Sequence, residues 1–184
     1  MSNAVDLAFI EDTIYSWISS RNIVDNQKIF AEKPNIDRPI PPSITYDMLT
    51  LPAMIGSRDN ISYSGTGDEM TVSGDRELTV SIKSYGEPAA QNISNLRESI
   101  ELFSVQQIFQ ASNMAVRIVN PPSDISELLE TGIEQRFNMD VIFGVTSIQT
   151  EDQGAVETVE IVDAEVKDAT GATVQTINDT IEKP

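Results

Sequence analysis

The chain has 184 residues, 12 Lys+Arg against 29 Asp+Glu, neither His nor Cys, and a formal net charge of −17. That length and 40% apolar content suffice to bury one core. The missing residue types exclude a Ser-His-Asp or Cys-His nucleophile pair, an imidazole base, a thiolate zinc site and a disulfide.

The first element reads as an amphipathic helix. Leu7, Ile10, Ile14, Trp17 and Ile18 recur at helical spacing, Asn3 or Asp6 can cap it, and Trp17 reads as its core anchor. A short strand is expected at Lys28–Ala31. Four prolines between positions 34 and 42 then preclude a helix or a regular ladder, so this stretch reads as an extended arm. Ser43–Leu51 alternates like a strand and is stopped by Pro52 and Gly56. Residues 57–75 are polar and turn-rich, which predicts a projecting hairpin or long loop. Its Gly65-x-Gly67 lacks the third glycine, the following helix and the Lys-Ser/Thr pair of a phosphate loop.

Arg76–Tyr85 is a clean strand, with Leu78, Val80 and Ile82 on one face. The period turns helical over Ala89–Phe103, and a second short helix ends near Asn113. Met114–Val119 reads as a strand. Ser123, Asp124 and Glu127 form a capping-box pattern that predicts a helix ended by Gly132. The longest strand signal places Phe137, Met139, Val141, Phe143 and Val145 on one face. Ile142 and Ile148 on the other suggest a central strand covered on both sides. Glu151-Asp152-Gln-Gly-Ala reads as an acidic turn, Glu157–Val166 as a last strand, and the residues after Ala169-Thr-Gly-Ala as a polar tail, flexible or ordered by a partner. From residue 151 onward nine acids face only Lys167 and Lys183. This order predicts an α+β fold: one twisted, mixed, largely antiparallel sheet with helices on one face and long hairpin or loop excursions. The expected organisation is a domain over 1–166 and an acidic tail over 167–184.

Without His and Cys, chemistry would rest on carboxylates, Lys, Tyr and hydroxyls, with Mg²⁺ or Ca²⁺ held by oxygen. The carboxylate pairs Asp75/Glu77, Glu98/Glu101 and Glu127/Glu130 are spaced as solvated faces, and none has the order of a calcium loop. No enzyme emerges, and no catalytic residue, metal or cofactor is expected. A charge of −17 argues against wrapping nucleic acid, whose phosphates require Lys and Arg. Arg97, Arg117 and Arg136 are too scattered for a phosphate-binding patch and read as partners of carboxylates at a packed surface or subunit interface. The start lacks a basic region before an apolar run, and Val141–Val145 is too short to span a bilayer. A cytosolic soluble domain with no membrane partner is therefore expected.

Several phrases, in order, resemble a family of tailed-bacteriophage neck or tail terminator proteins. They are Tyr15-Ser-Trp-Ile-Ser, Arg38-Pro…Pro42-Ser-Ile-Thr, Gly74-Asp-Arg-Glu-Leu-Thr-Val-Ser-Ile-Lys-Ser-Tyr-Gly86 and Ser94-Asn-Leu-Arg-Glu-Ser-Ile-Glu-Leu102. Asp124-Ile-Ser-Glu-Leu-Leu-Glu-Thr131, Arg136-Phe-Asn-Met-Asp-Val-Ile-Phe-Gly144 and Gly154-Ala-Val-Glu-Thr-Val-Glu160 continue the series. The likeness covers residues 7 to 162 and leaves out the acidic tail after about 165. It implies a structural virion protein, made in the host cytoplasm, that forms a ring, typically sixfold, at the head-proximal end of the tail tube. Such a ring stops tube polymerisation and joins the tail to the head connector. Implied partners are further copies of the chain, the tail tube protein and the connector or neck proteins, with the tail sheath as a further candidate. DNA passes through without specific binding.

On this resemblance the candidate interface residues are Arg38, Pro41, Arg76, Arg97, Arg117 and Arg136. The candidate lumen-facing acids are Asp68, Glu69, Glu151 and Asp152, since carboxylates along a pore keep DNA from adhering. The alternatives are another ring or tube component of the same tail, or an acidic binding module that inhibits a basic partner.

Overall fold

Apolar residues at helical spacing build α1 (Leu7–Ser20), and Ile10, Ile14, Trp17 and Ile18 are all buried. The Asp6 carboxylate caps it, accepting the N–H groups of Ala8 at 3.0 Å and Phe9 at 3.3 Å. Two of the helix's orphan donors are thereby satisfied. The computed structural model describes residues 5–32, 40–56, 58–64, 69–129, 132–152, 158–167 and 173–182, the last two segments by their backbone.

The chain divides into two compact units, Met1–Ile61 with Val72–Thr150, and Ser62–Thr71 with Glu151–Pro184. The first is built on a sheet. A 3₁₀ turn at Asn26–Lys28 leads into β1 (Ile29–Ala31), which pairs in parallel with β2 (Ser43–Met48). β2 pairs antiparallel with β5 (Glu69–Tyr85), Tyr46 opposite Ile82 and Met48 opposite Val80. Farther along the same edge of β5 lie β3 (Ala53–Met54) and β4 (Asn60–Tyr63). β5 and β10 (Arg136–Asp152) are the two long central strands. Side-chain bonds from Ser81 to Asn138 and from Thr146 to Asp75 show them running in opposite directions. The outer edge of β10 carries β6 (Met114–Val119) and β7 (Ser123–Asp124), both antiparallel. The result is the α+β class expected: an eight-stranded, mostly antiparallel sheet with α1, α2 (Ala89–Ser99) and α3 (Phe103–Ala111) against it.

The core lies between sheet and helices. Leu78, Val80 and Ile82 of β5 and Met139, Val141 and Phe143 of β10 meet Ile93 and Leu96 of α2, Val105 and Phe109 of α3, and α1. Trp17, Phe109 and Phe143 meet edge to face in a triangle, with centroids 5.3 to 6.5 Å apart. The indole N–H donates to Ser99 Oγ at 3.0 Å, so the one polar atom of the buried ring is paired.

Three expectations are corrected. First, the capping-box segment is not helical. Residues 123–129 and 132–134 hold β7, β8 (Glu127–Leu129) and β9 (Gly132–Glu134), with β8 and β9 paired antiparallel. Asp124 Oδ1 accepts the Ser126 N–H at 2.8 Å as an N-cap would. The chain is then drawn to β10, Ile125 N–H donating to Arg136 C=O and Arg136 N–H donating to Ser126 Oγ. Local side-chain bonds and a waiting strand outcompete the helix. Second, β10 is central but buried on one face only: Met139, Val141, Phe143 and Val145 are covered, whereas Ile142 is half-buried and Ile148 exposed. Third, part of the acidic tail is a strand. β12 (Thr173–Glu182) pairs antiparallel with β11 (Thr158–Lys167), from Thr158 opposite Glu182 to Lys167 opposite Thr173. Six of its ten residues are Thr, Val or Ile (Thr173, Val174, Thr176, Ile177, Thr180, Ile181), and this β-forming character prevails over polarity.

The polar excursion does close as a hairpin between β4 and β5, with Ser64 N–H donating to Glu69 C=O at 2.9 Å. Among the described residues no helix is long and apolar enough to cross a membrane.

Candidate functional site

The cations sit on the sheet and its excursions, and several are tied to carboxylates of the same chain. Arg76 on β5 grips Asp59 through two bonds of 2.7 and 2.6 Å. The bond from Arg76 holds the Asp59 carboxyl below the usual carboxylate range, and Asp59 in turn raises the arginine. Arg136, at the start of β10, is the hub of a denser set. It donates to Glu134 at 2.6 Å and pairs with Glu127 as well, and its guanidinium carbon stands 5.7 Å from the centroid of the Tyr85 ring. Glu127 and Glu134 are directly opposite across β8 and β9. Two like charges at such a register repel, so Arg136 offsets part of that repulsion and ties the hairpin to the sheet.

Hydrogen bonds from the Ser126 hydroxyl and N–H lower the pKa of Asp124 at the base of that hairpin. Arg117 on β6 is exposed, 3.8 Å from Glu77, its aliphatic stem lying over Gly144. Arg97 is exposed in the last turn of α2. Pro41 is exposed before β2 and packs so closely on Gly86 that a Cβ there would meet Pro41 Cβ at 2.6 Å. Arg38 lies outside the described residues.

Of the four acids expected along a pore, Asp68 lies outside the described residues. Glu69 begins β5, while Glu151 and Asp152 end β10, all three exposed and all in the second unit. The antiparallel run of β5 and β10 brings the start of one strand to the end of the other. Glu151 and Asp152, where a turn was expected, are still strand, and residues 153–157 lie outside the described residues.

Among the described residues no group of three acids could hold a metal ion. Asp75 accepts from Thr146, Glu77 faces Arg117, and Glu98 and Glu101 are solvated on α2 and just beyond it. Sequence reasoning missed the exposed apolar residues. Leu128 and Ile133 oppose each other across β8 and β9, and Leu49, Leu51 and Met54 follow β2 along the edge of β5. The first pair was hidden by the expected helix. Gly132, which adopts φ +142° at the start of β9, is the sequence signal for a turn rather than a continuing helix there.

A family model described as phage neck terminator protein matches residues 8–171 of the chain. A comparison with curated proteins finds no match.

Proposed function

Because the chain belongs to the phage neck terminator family, we propose that it closes into a ring of six copies at the head-proximal end of the tail tube. There it ends tube polymerisation and joins the tail to the head connector. Membership implies a structural, non-enzymatic part in the neck or tail of a virion, in association with the tail tube. The observation that carries the proposal is the length of the match, which runs from the second residue of α1 past the end of β11. A surface tied together by ion pairs suits a part that positions other proteins.

In this ring the carboxylates of Glu69, Glu151 and Asp152, with Asp68, face the DNA path. Charge is felt only over about 8 Å at physiological ionic strength, so acids must line the passage itself to keep phosphates from adhering. A ring whose lumen carries net positive charge would rule out this role for them.

Co-expression with the tail tube protein of the same virion tests the assignment. A terminator caps tubes at one end and shortens them, and negative-stain images should show it there. If the chain instead polymerises along the tube, or leaves tube length unchanged, the assignment fails.

A further inference from the structure

Two exposed apolar patches lie at opposite edges of the eight-stranded sheet. On the β10 side, β7 leads into the β8–β9 hairpin, where Leu128 and Ile133 are 78% and 74% exposed in direct cross-strand register. Beside them is a cleft lined by Ala90 and Phe137. On the β5 side, the segment leaving β2 and passing through β3 carries Leu49, Leu51 and Met54, each more than half exposed. The hairpin is net negative, and one exposed cation stands near the other patch. The hairpin is flanked by Asp124, Glu127 and Glu134 against Arg136 alone. Beyond β3 stands Arg58, exposed and with no ion pair or hydrogen bond among the described residues.

We infer that the β8–β9 hairpin of one copy docks on the Leu49–Met54 edge of the next, burying Leu128 and Ile133 against Leu51 and Met54, with Arg58 meeting the hairpin's carboxylates. Exposed apolar pairs rimmed by charge mark interaction sites, and an edge strand is kept from indiscriminate pairing when a specific partner covers it. The contact is heterologous: each copy spends its hairpin on one neighbour and its β3 edge on the other. Two copies therefore leave one patch of each kind open, and growth ends only when the chain of copies closes. This inference rests on the ring reading and names the surfaces that would build it.

The sequence holds no cysteine, so M54C and I133C variants of the full chain each carry a single reactive thiol at an exposed position. A short bifunctional thiol cross-linker is preferred to direct oxidation, because a disulfide tolerates little error in geometry. Mixing the two single variants should give cross-linked pairs at least tenfold above either variant alone, and the double variant M54C/I133C should give a ladder up to the closed ring. A paired L128D/I133D variant should retain its circular dichroism spectrum and lose assembly. The inference is overturned if I133C links to itself as efficiently as to M54C, or if L128D/I133D assembles like the parent. It also falls if rings form, alone or on the tail tube, without an M54C–I133C link; the ring reading then stands. A chain that stays monomeric both alone and with tubes overturns both.

Discussion

Tyr46 shows how single residues are set by what they are packed among. It lies on β2, 7% exposed, and burial together with the charges of Glu11 and Asp12 on α1 pushes its phenol up to about 12. The ordinary value is 10.0, so between about pH 10 and pH 12 the folded chain holds a proton that the unfolded chain has lost. The contribution is complete below pH 10 and disappears as pH rises to about 12. Denaturant unfolding of the parent and of Tyr46→Phe at about pH 9 and about pH 11.5 should show the parent losing more stability than the variant. Equal losses would mean that the phenol is not held protonated. At the same scale the sequence was highly legible: Trp17, Leu78, Val80, Ile82, Met139, Val141 and Phe143 are core residues as their spacing predicts. Spacing did not reveal that Trp17 would share its contact with Phe109 and Phe143, nor that Gly86, at φ +77°, gives room to Pro41. Those depend on elements far apart in sequence.

Elements differ in how much they owe to their own residues. α1, β10 and the part of β5 from Arg76 onward carry strong periodicity and a deep apolar face, so they form where the sequence places them; β5 itself begins at Glu69, inside the excursion expected over 57–75. Segment 123–134 is short and weakly apolar, and its capping pattern serves a strand bend as readily as a helix start. The backbone of Arg136 decided the matter. The same reasoning makes the β8–β9 hairpin dependent on one side chain. Replacing Arg136 by Ala leaves Glu127 and Glu134 opposed without a counter-charge and removes the link to Tyr85. A global loss of about 1–2 kcal/mol is expected, since the arginine is largely covered but its partners are partly solvated. The larger effect should be local: amide exchange over 123–135 rising tenfold or more while α1 and β5 keep their protection. Uniform exchange changes across the sheet would show that Arg136 supports the whole fold rather than this hairpin.

At the scale of the whole molecule, the charge of −17 sets the terms of association. Copies that meet edge to edge repel one another over the Debye length, while the apolar contact between Leu128/Ile133 and Leu51/Met54 is indifferent to salt. Arg58 and the hairpin carboxylates orient the contact, but one cation per interface cannot offset the repulsion between whole chains. Raising salt from ~0.1 M to ~1 M shortens screening from about 10 Å to about 3 Å. It should therefore shift the chain toward larger species in sedimentation velocity. Arg58→Glu should weaken assembly at the lower salt and approach the parent at the higher, because added salt hides the misplaced charge from Glu127 and Glu134. A parent ring that dissolves as salt rises would mean that ion pairs, rather than the two apolar edges, hold neighbouring copies together.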